Sequence, residues 1–333
     1  TNIVVPAGGR FTQRRIFGLF GDISLGYEDY LFLNLTGRSD WSSTLPESNR
    51  NFFYPAVSTS FILSDALNIS SNTVNSIKLR ASWSEVGNDT QPYQLQPVYL
   101  VNARTTAQGN GLPFTQTGGA TVPGSTLSDI ARDPNLKPER TREVELGISA
   151  QFFNNRVGVD LAVYDRLTFD QIAPVSLPDV SGFTQLFTNF GSLSNRGIEI
   201  GLDLTPIQLD NGLRWNIYGT FTHNKNVVEE LVEGTNEIII RGLFAGSVVP
   251  VLRPGEEYGL IRGSVSARDD EGNLLIDPAT GQIIDALNPE IVGNPNPDFI
   301  VGITNTVSWK GFTLSAVIDW RQGGDMYSVT NQT

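Results

Sequence analysis

Residues 31–41 read LFLNLTGRSDW. Leu31, Leu33, Leu35 and Trp41 fall on one phase of a two-residue repeat, and Asn34, Thr36, Arg38 and Asp40 fall on the other. That is the period of an extended strand with one apolar and one polar face. The pattern returns at 77–85, where Ile77, Leu79, Ala81 and Trp83 oppose Lys78, Arg80, Ser82 and Ser84. It recurs at 144–150, 157–163, 198–204, 213–221, 299–309 and 312–320, and less regularly around 16–26 and 52–63. Ten strands are expected, of roughly 9–13 residues where soluble sheets use about 5–6.

The connections alternate in length. Tyr27-Glu28-Asp29, FNNR at 153–156, residues 206–212 and Lys310-Gly311 make short turns, and 65–75 is modest. The links at 42–51, 88–141, 173–188 and 226–298 fall at the other strand ends and are larger. Short turns at one end and long loops at the other are the asymmetry of an outer-membrane barrel. A soluble sandwich or propeller has no reason to sort its loops by length.

Charge and tryptophan give independent checks. Arg38, Asp40, Lys78, Arg80, Glu143, Glu145, Asp160, Glu199, Asp203, Arg214, Asp319 and Arg321 all occupy the polar phase. Glu85, Arg142 and Asp165 break it, each about nine residues from its short turn, roughly one bilayer crossing. An Arg or Lys on the lipid face costs roughly 2–4 kcal/mol at the midplane and about 0–1 near the interface. Trp41, Trp83 and Trp320 map to loop-side ends and Trp215 and Trp309 to turn-side ends, as two aromatic belts require.

Composition agrees. The 333 residues are 39% hydrophobic, with 33 Gly and no apolar run long enough for a membrane helix. A barrel strand needs only alternate apolar residues. The absence of Cys removes disulfides, thiol catalysis and Cys-ligated zinc. The net charge of -12 argues against a nucleic-acid partner. The opening TNIVVPAGGR lacks the basic and apolar regions of a signal peptide, so a trimmed precursor or an internal piece is expected.

Several segments resemble TonB-dependent receptors, specifically their SusC/RagA-type branch from Bacteroidetes-like bacteria. LKPERTREVELGI (136–148) and NRGIEIGLDLTPI (195–207) resemble strand motifs widespread in those receptors. YLFLNLTGRSDWSSTLPESNRNFFYPAVSTSFILSD (30–65), IKLRASWSEVGND (77–89) and GNPNPDFIVGITNTVSWKGFTLSAVIDWRQGGDMY (293–327) resemble the SusC/RagA branch. The resemblance implies an all-β fold: an antiparallel transmembrane wall within a 22-stranded barrel, with short periplasmic turns and long extracellular loops. It further implies a plug domain, energisation through TonB, a SusD-type surface lipoprotein as lid, and import of oligosaccharides or oligopeptides. Residues 1–333 are then expected to be a partial barrel domain, without the plug, the TonB box and the terminal strands.

The chemistry-bearing residues point the same way. His223 is the single histidine and sits on a strand, so a Ser-His-Asp arrangement has little to build on. Glu143 and Glu145 share a strand face, which a solvated wall explains without glycoside hydrolysis. ARDDEGNLLIDPATGQIID (267–285) fails the calcium-loop spacing: with Gly272 sixth, Ala267 stands first and Pro278 twelfth. Two turns between Leu/Ile pairs predict a surface hairpin there. No phosphate-cradling loop is present, and Asn34, Asn68 and Asn88 match the glycosylation pattern without meaning in a bacterial setting. No catalytic, metal-binding or cofactor-binding residue is expected.

Arg38, Asp40, Lys78, Arg80, Glu143, Glu145, Glu199, Asp203 and Arg214 are candidates to line the lumen, against plug or ligand. Tyr93, Tyr99, Phe114, Phe183, Phe187 and Phe244 are loop aromatics suited to stacking on sugar rings. Two other functions fit a β-rich chain: a barrel without transport, such as an adhesin or autotransporter pore, and a soluble carbohydrate-binding domain. The lipid-facing assignment predicts that Leu33→Arg or Ile200→Arg blocks assembly while Thr36→Arg is tolerated.

Overall fold

The computed structural model describes residues 12–69, 71–102, 114–115, 121–122, 124–177, 179–232, 234–240 and 248–328. Ten long strands form one antiparallel sheet in strict chain order. They are β1 (Ile16–Tyr27), β2 (Leu31–Ser42), β3 (Asn51–Ile62), β4 (Val74–Asn88), β5 (Glu139–Phe152), β6 (Val157–Phe169), β7 (Gly191–Gln208), β8 (Arg214–Leu231), β9 (Pro297–Trp309) and β10 (Phe312–Gly323). β1 and β10 are the two edges, so the barrel wall is open. The tight ends are set by residues in the left-handed region: Glu28 and Asp29, Asn154 and Asn155, Lys310 and Gly311. Paired positive φ values match the twist of adjacent antiparallel strands.

Register turns the sequence alternation into two faces. One unbroken cross-strand row runs Tyr27, Leu31, Phe61, Leu79, Ile148, Leu161, Ile200, Phe221, Val301 and Trp320. Every member is apolar or aromatic. The adjacent row from β4 onward is Lys78, Ser149, Asp160, Gly201, Thr220, Gly302 and Asp319. A one-residue slip anywhere would exchange the two sets, so burial of one face pins the register. The apolar row starts at the turn end of β1 and finishes near the loop end of β10. That stagger is the shear a tilted barrel needs.

All five tryptophans stand on the apolar face. Trp83 lies nine positions from Val74, the partner of Phe152, and Trp320 lies eight from Phe312. At about 3.4 Å per residue and a tilt near 45°, such a spacing spans roughly 20 Å, close to the apolar band of an outer-membrane barrel.

β7 and β8 have 18 residues each, much longer than the alternation at 198–204 and 213–221 predicts. A bilayer crossing uses about 9–11 tilted residues. The surplus stands beyond the loop-side belt, where alternation is no longer enforced by lipid. β8 pairs with β9 only as far as Thr222, and farther along Val228 exchanges backbone hydrogen bonds with Glu256 and Gly255 instead.

Among the described residues no second layer packs on the wall. Leu146 is 52% exposed and Phe53 55%, both on the apolar face. The chain exposes 22843 Å², where a compact protein of this mass would expose about 13,500 Å². What core exists lies at the loop end. Val175, Phe190, Leu193, Val228, Ile238 and Leu252 form one cluster, and Leu45, Phe52 and Leu136 another. Around them sit a three-stranded sheet (Ile172–Ser176, Gln185–Asn189, Ile130–Arg132) and a four-stranded sheet (Ile238–Ile239, Val248–Leu252, Leu260–Gly263, Glu290–Gly293).

Candidate functional site

The polar face carries a network built across strands. Arg80 on β4 reaches over β5 to Asp160 on β6 with two hydrogen bonds of 2.9 and 3.0 Å, and also donates to Ser149. Its path is open because position 147, directly between, is glycine. A Cβ there would stand 2.8 Å from a guanidinium nitrogen of Arg80. Tyr164 likewise crosses Gly197 to donate to Asn224 at 3.3 Å. Gly147→Leu is expected to lift Arg80 from the sheet and cost about 1–3 kcal/mol. The measurement is the temperature at which the folded barrel loses its heat-modifiable gel mobility; an unchanged transition would show that the space is not needed.

The other inner-face candidates divide in two. Asp40 is buried, accepts from Arg38 at 2.9 Å and from the Tyr54 hydroxyl at 2.5 Å. Glu143 pairs with Arg166, and Asp203 accepts from Asn216 at 2.7 Å. Lys78, Glu145, Glu199 and Arg214 share the same face and form no ion pair among the described residues. Glu145 and Arg80 also close one end of a shallow groove of about 470 Å³ lined by Phe32, Asn34, Ser58 and Ser82.

At the loop end, polar residues of the quoted motifs act as clamps. Asp89 is buried and accepts from Arg14, Ser42 and, at 2.8 Å, Thr44. It thereby ties the end of β4 to the β2–β3 loop. Leu136 is fully buried beside Leu45 and Phe52, while Asn189 grips the Lys137 backbone at both its N–H (2.8 Å) and its carbonyl (3.0 Å). The Glu139 carboxylate accepts from the Ile172 N–H and from Asn88, both at 2.9 Å.

The loop aromatics are scattered. Tyr93 is 60% exposed and its hydroxyl accepts from the Gln13 N–H. Phe183 is half-buried, and Phe187 packs on the Leu45–Phe52–Leu136 cluster under the Arg132 guanidinium, 5.2 Å away. Burial lowers the pKa of Arg132. Tyr99 and Phe114 lie on short strands paired at Leu127 and Val122, and Phe244 lies outside the described residues.

Residues 265–286 form a small arm in which Ala267, Leu275 and Ile284 exchange backbone hydrogen bonds. Asp269 is held below the ordinary carboxylate range by hydrogen bonds from Asn273, and Asp277 by the Ala279 N–H and the Thr280 hydroxyl. These carboxylates close their own turns. His223 lies mid-strand, nine positions from Arg214 and eight from Leu231. Its Nδ1 stands 2.5 Å from the Asp298 carbonyl, where β8 and β9 part.

Compared with known proteins, residues 2–331 match the family described as TonB dependent receptor-like, beta-barrel. The chain belongs to that family. Its wall is therefore part of an outer-membrane barrel, the apolar face turned to lipid and the polar face to the lumen. TonB-dependent receptor P26 of Formosa agariphila is 30% identical over 338 residues, covering 95% of this chain and 32% of that protein. TonB-dependent receptor SusC of Bacteroides thetaiotaomicron is 25% identical over 320 residues, covering 91% and 31%. The fold matches the RagAB peptide transporter with a TM-score of 0.72 at 21% identity, over 92% of this chain and 33% of that one. The chain thus spans about a third of the length of these relatives.

Read as a receptor wall, the structure shows signals that alternation alone missed. The strand glycines at 147 and 197 are one. They fall on the polar phase between long side chains, a pattern visible only once register is known.

Proposed function

We propose that this chain is one barrel segment, residues 1–333, of a TonB-dependent importer of oligosaccharides, with oligopeptides as the alternative cargo. The observation that carries the reading is the unbroken two-faced sheet, ending in large built-up loops on one side only. The likeness to SusC supports a glycan cargo and the likeness to the RagAB peptide transporter supports a peptide. In this reading a SusD-like surface lipoprotein closes over the loops, and TonB acts through parts of the receptor outside this segment. The cargo passes without chemical change, so the segment carries no catalytic group.

Of the nine candidate lumen residues, Lys78, Glu145, Glu199 and Arg214 are the charges left to meet plug or cargo. Arg38, Asp40, Arg80, Glu143 and Asp203 chiefly hold the wall itself. Tyr93 and Phe183 are the better-placed loop aromatics for cargo, since Phe187 is engaged in packing. The test is uptake of fluorescently labelled oligosaccharides and oligopeptides by cells carrying the full-length receptor, with and without TonB. Glu145→Gln with Glu199→Gln is expected to lower TonB-dependent uptake at least tenfold, since even one hydrogen bond to a charged group is worth about 1.5–3 kcal/mol, at unchanged receptor abundance. Uptake that persists without TonB, or that the double variant leaves untouched, would overturn the respective part of the reading.

A further inference from the structure

We infer a second binding site on the outer face of the wall: a groove at the loop-side rim that takes the phosphorylated headgroup of an outer-leaflet glycolipid. Asn49, Asn51, Lys137, Arg140, Phe169 and Asp170 line a depression of about 310 Å³ there. Its level is fixed by register. Asn51 is the partner of Trp41, and Glu85, two positions above Trp83, is the partner of Arg142. The groove therefore opens just beyond the tryptophan belt, where acyl chains give way to headgroups.

Around the groove the charge opposes that of the whole chain: Lys137, Arg140 and Arg142 stand against Glu85 and Asp170, in a protein of net charge -12. Glu85 is the organising group. Its side chain is 8% exposed and accepts from Arg140 at 2.7 Å and Arg142 at 3.2 Å. Each guanidinium has five N–H donors and gives one to Glu85. Arg142 also lies 5.6 Å over the Phe169 ring. Lys137 is only loosely engaged, 3.8 Å from Asp170, while its backbone is clamped by Asn189. Asp165 and Arg196 pair at 2.9 Å on the next strands.

Forked guanidiniums beside a loosely paired ammonium suit a phosphate monoester. A lipid-borne phosphate is favoured over a soluble one because exposed apolar residues lie below the groove on the same face of the strand. Val144 and Leu146, 45% and 52% exposed, lie two and four positions below Arg142. A headgroup seated in the groove would lay its acyl chains along them.

The probe is bis-phosphorylated lipid A, offered to the delipidated full-length receptor in detergent and followed by native mass spectrometry. Its phosphatase-treated form and inorganic phosphate serve as comparisons. Each cation near the membrane surface is worth about fivefold in binding. Lys137→Gln is expected to weaken retention about fivefold, and Lys137→Gln with Arg140→Gln about 25-fold. Should the double variant fail to assemble because Glu85 loses a partner, Lys137→Gln and Lys137→Glu decide alone. Equal retention of the dephosphorylated lipid, or no effect of either Lys137 variant, would overturn the site. Displacement of the lipid by inorganic phosphate at comparable concentration would overturn the lipid as its source.

Discussion

Ile200→Arg is expected to remove the full-length receptor from the outer membrane, while Thr36→Arg leaves it in place. Ile200 sits in the cross-strand row with Leu79, Ile148 and Leu161. Leu79 is five positions above Val74 and four below Trp83, so this row lies midway between the belts. An arginine facing lipid there costs roughly 2–4 kcal/mol, which lowers the folded fraction by between about thirtyfold and a thousandfold. Thr36 stands on the polar face between Asp22 and Ala56, where a guanidinium meets water and a carboxylate. Leu33 is a more graded case than alternation alone predicts. It lies two positions from Leu31, at the turn end of β2, and belongs near the interface, where the cost falls to about 0–1 kcal/mol. The readout is heat-modifiable mobility and abundance in the outer-membrane fraction. Equal abundance of the Ile200 and Thr36 variants would sink the assignment of faces.

Asp89→Ala is expected to release the β2–β3 loop without removing the wall. The carboxylate is the shared acceptor for Arg14, Ser42 and Thr44, and both hydroxyl residues are buried, at 1% and 3% exposure. Arg14 is 44% exposed and can rehydrate. The two hydroxyls cannot and keep only their mutual bond of 2.9 Å, so the loss is about 1–3 kcal/mol, concentrated locally. Hydrogen exchange at residues 42–49 should quicken at least tenfold, while the mid-strand amides of β4 and β5 keep their protection. Asp89→Asn, which retains one acceptor oxygen, should fall between. Uniform protection in the alanine variant would show that the loop is held by Leu45 and its apolar neighbours alone.

Much of the fold is legible in the chain. A strand has a side-chain period of two, and a lipid face tolerates few polar groups, so LFLNLTGRSDW and its repeats declare both their conformation and their environment. The same rule fails beyond the membrane. Above the belt nothing forces alternation, and β7 and β8 continue for many residues that the pattern does not reveal. Arg140, Arg196 and Lys225 stand on the outer face there without violating any energetic rule, because water and headgroups reach them. The candidate lumen residues were legible as a phase but not as a network. Which charges neutralise one another depends on neighbours in adjacent strands, and Arg80 meets Asp160 across eighty residues of sequence.

From sequence alone came the strands, their turns, the two faces and the membrane, because each follows from local period and from the cost of polar groups in hydrocarbon. Tertiary structure decided the rest. Asp89, Asn189 and Glu85 are ordinary polar residues until the loops fold back and bury them. Gly147 matters only because register lays an arginine across it. Such contacts are long-range, and their energies depend on shared burial that no single stretch of chain contains.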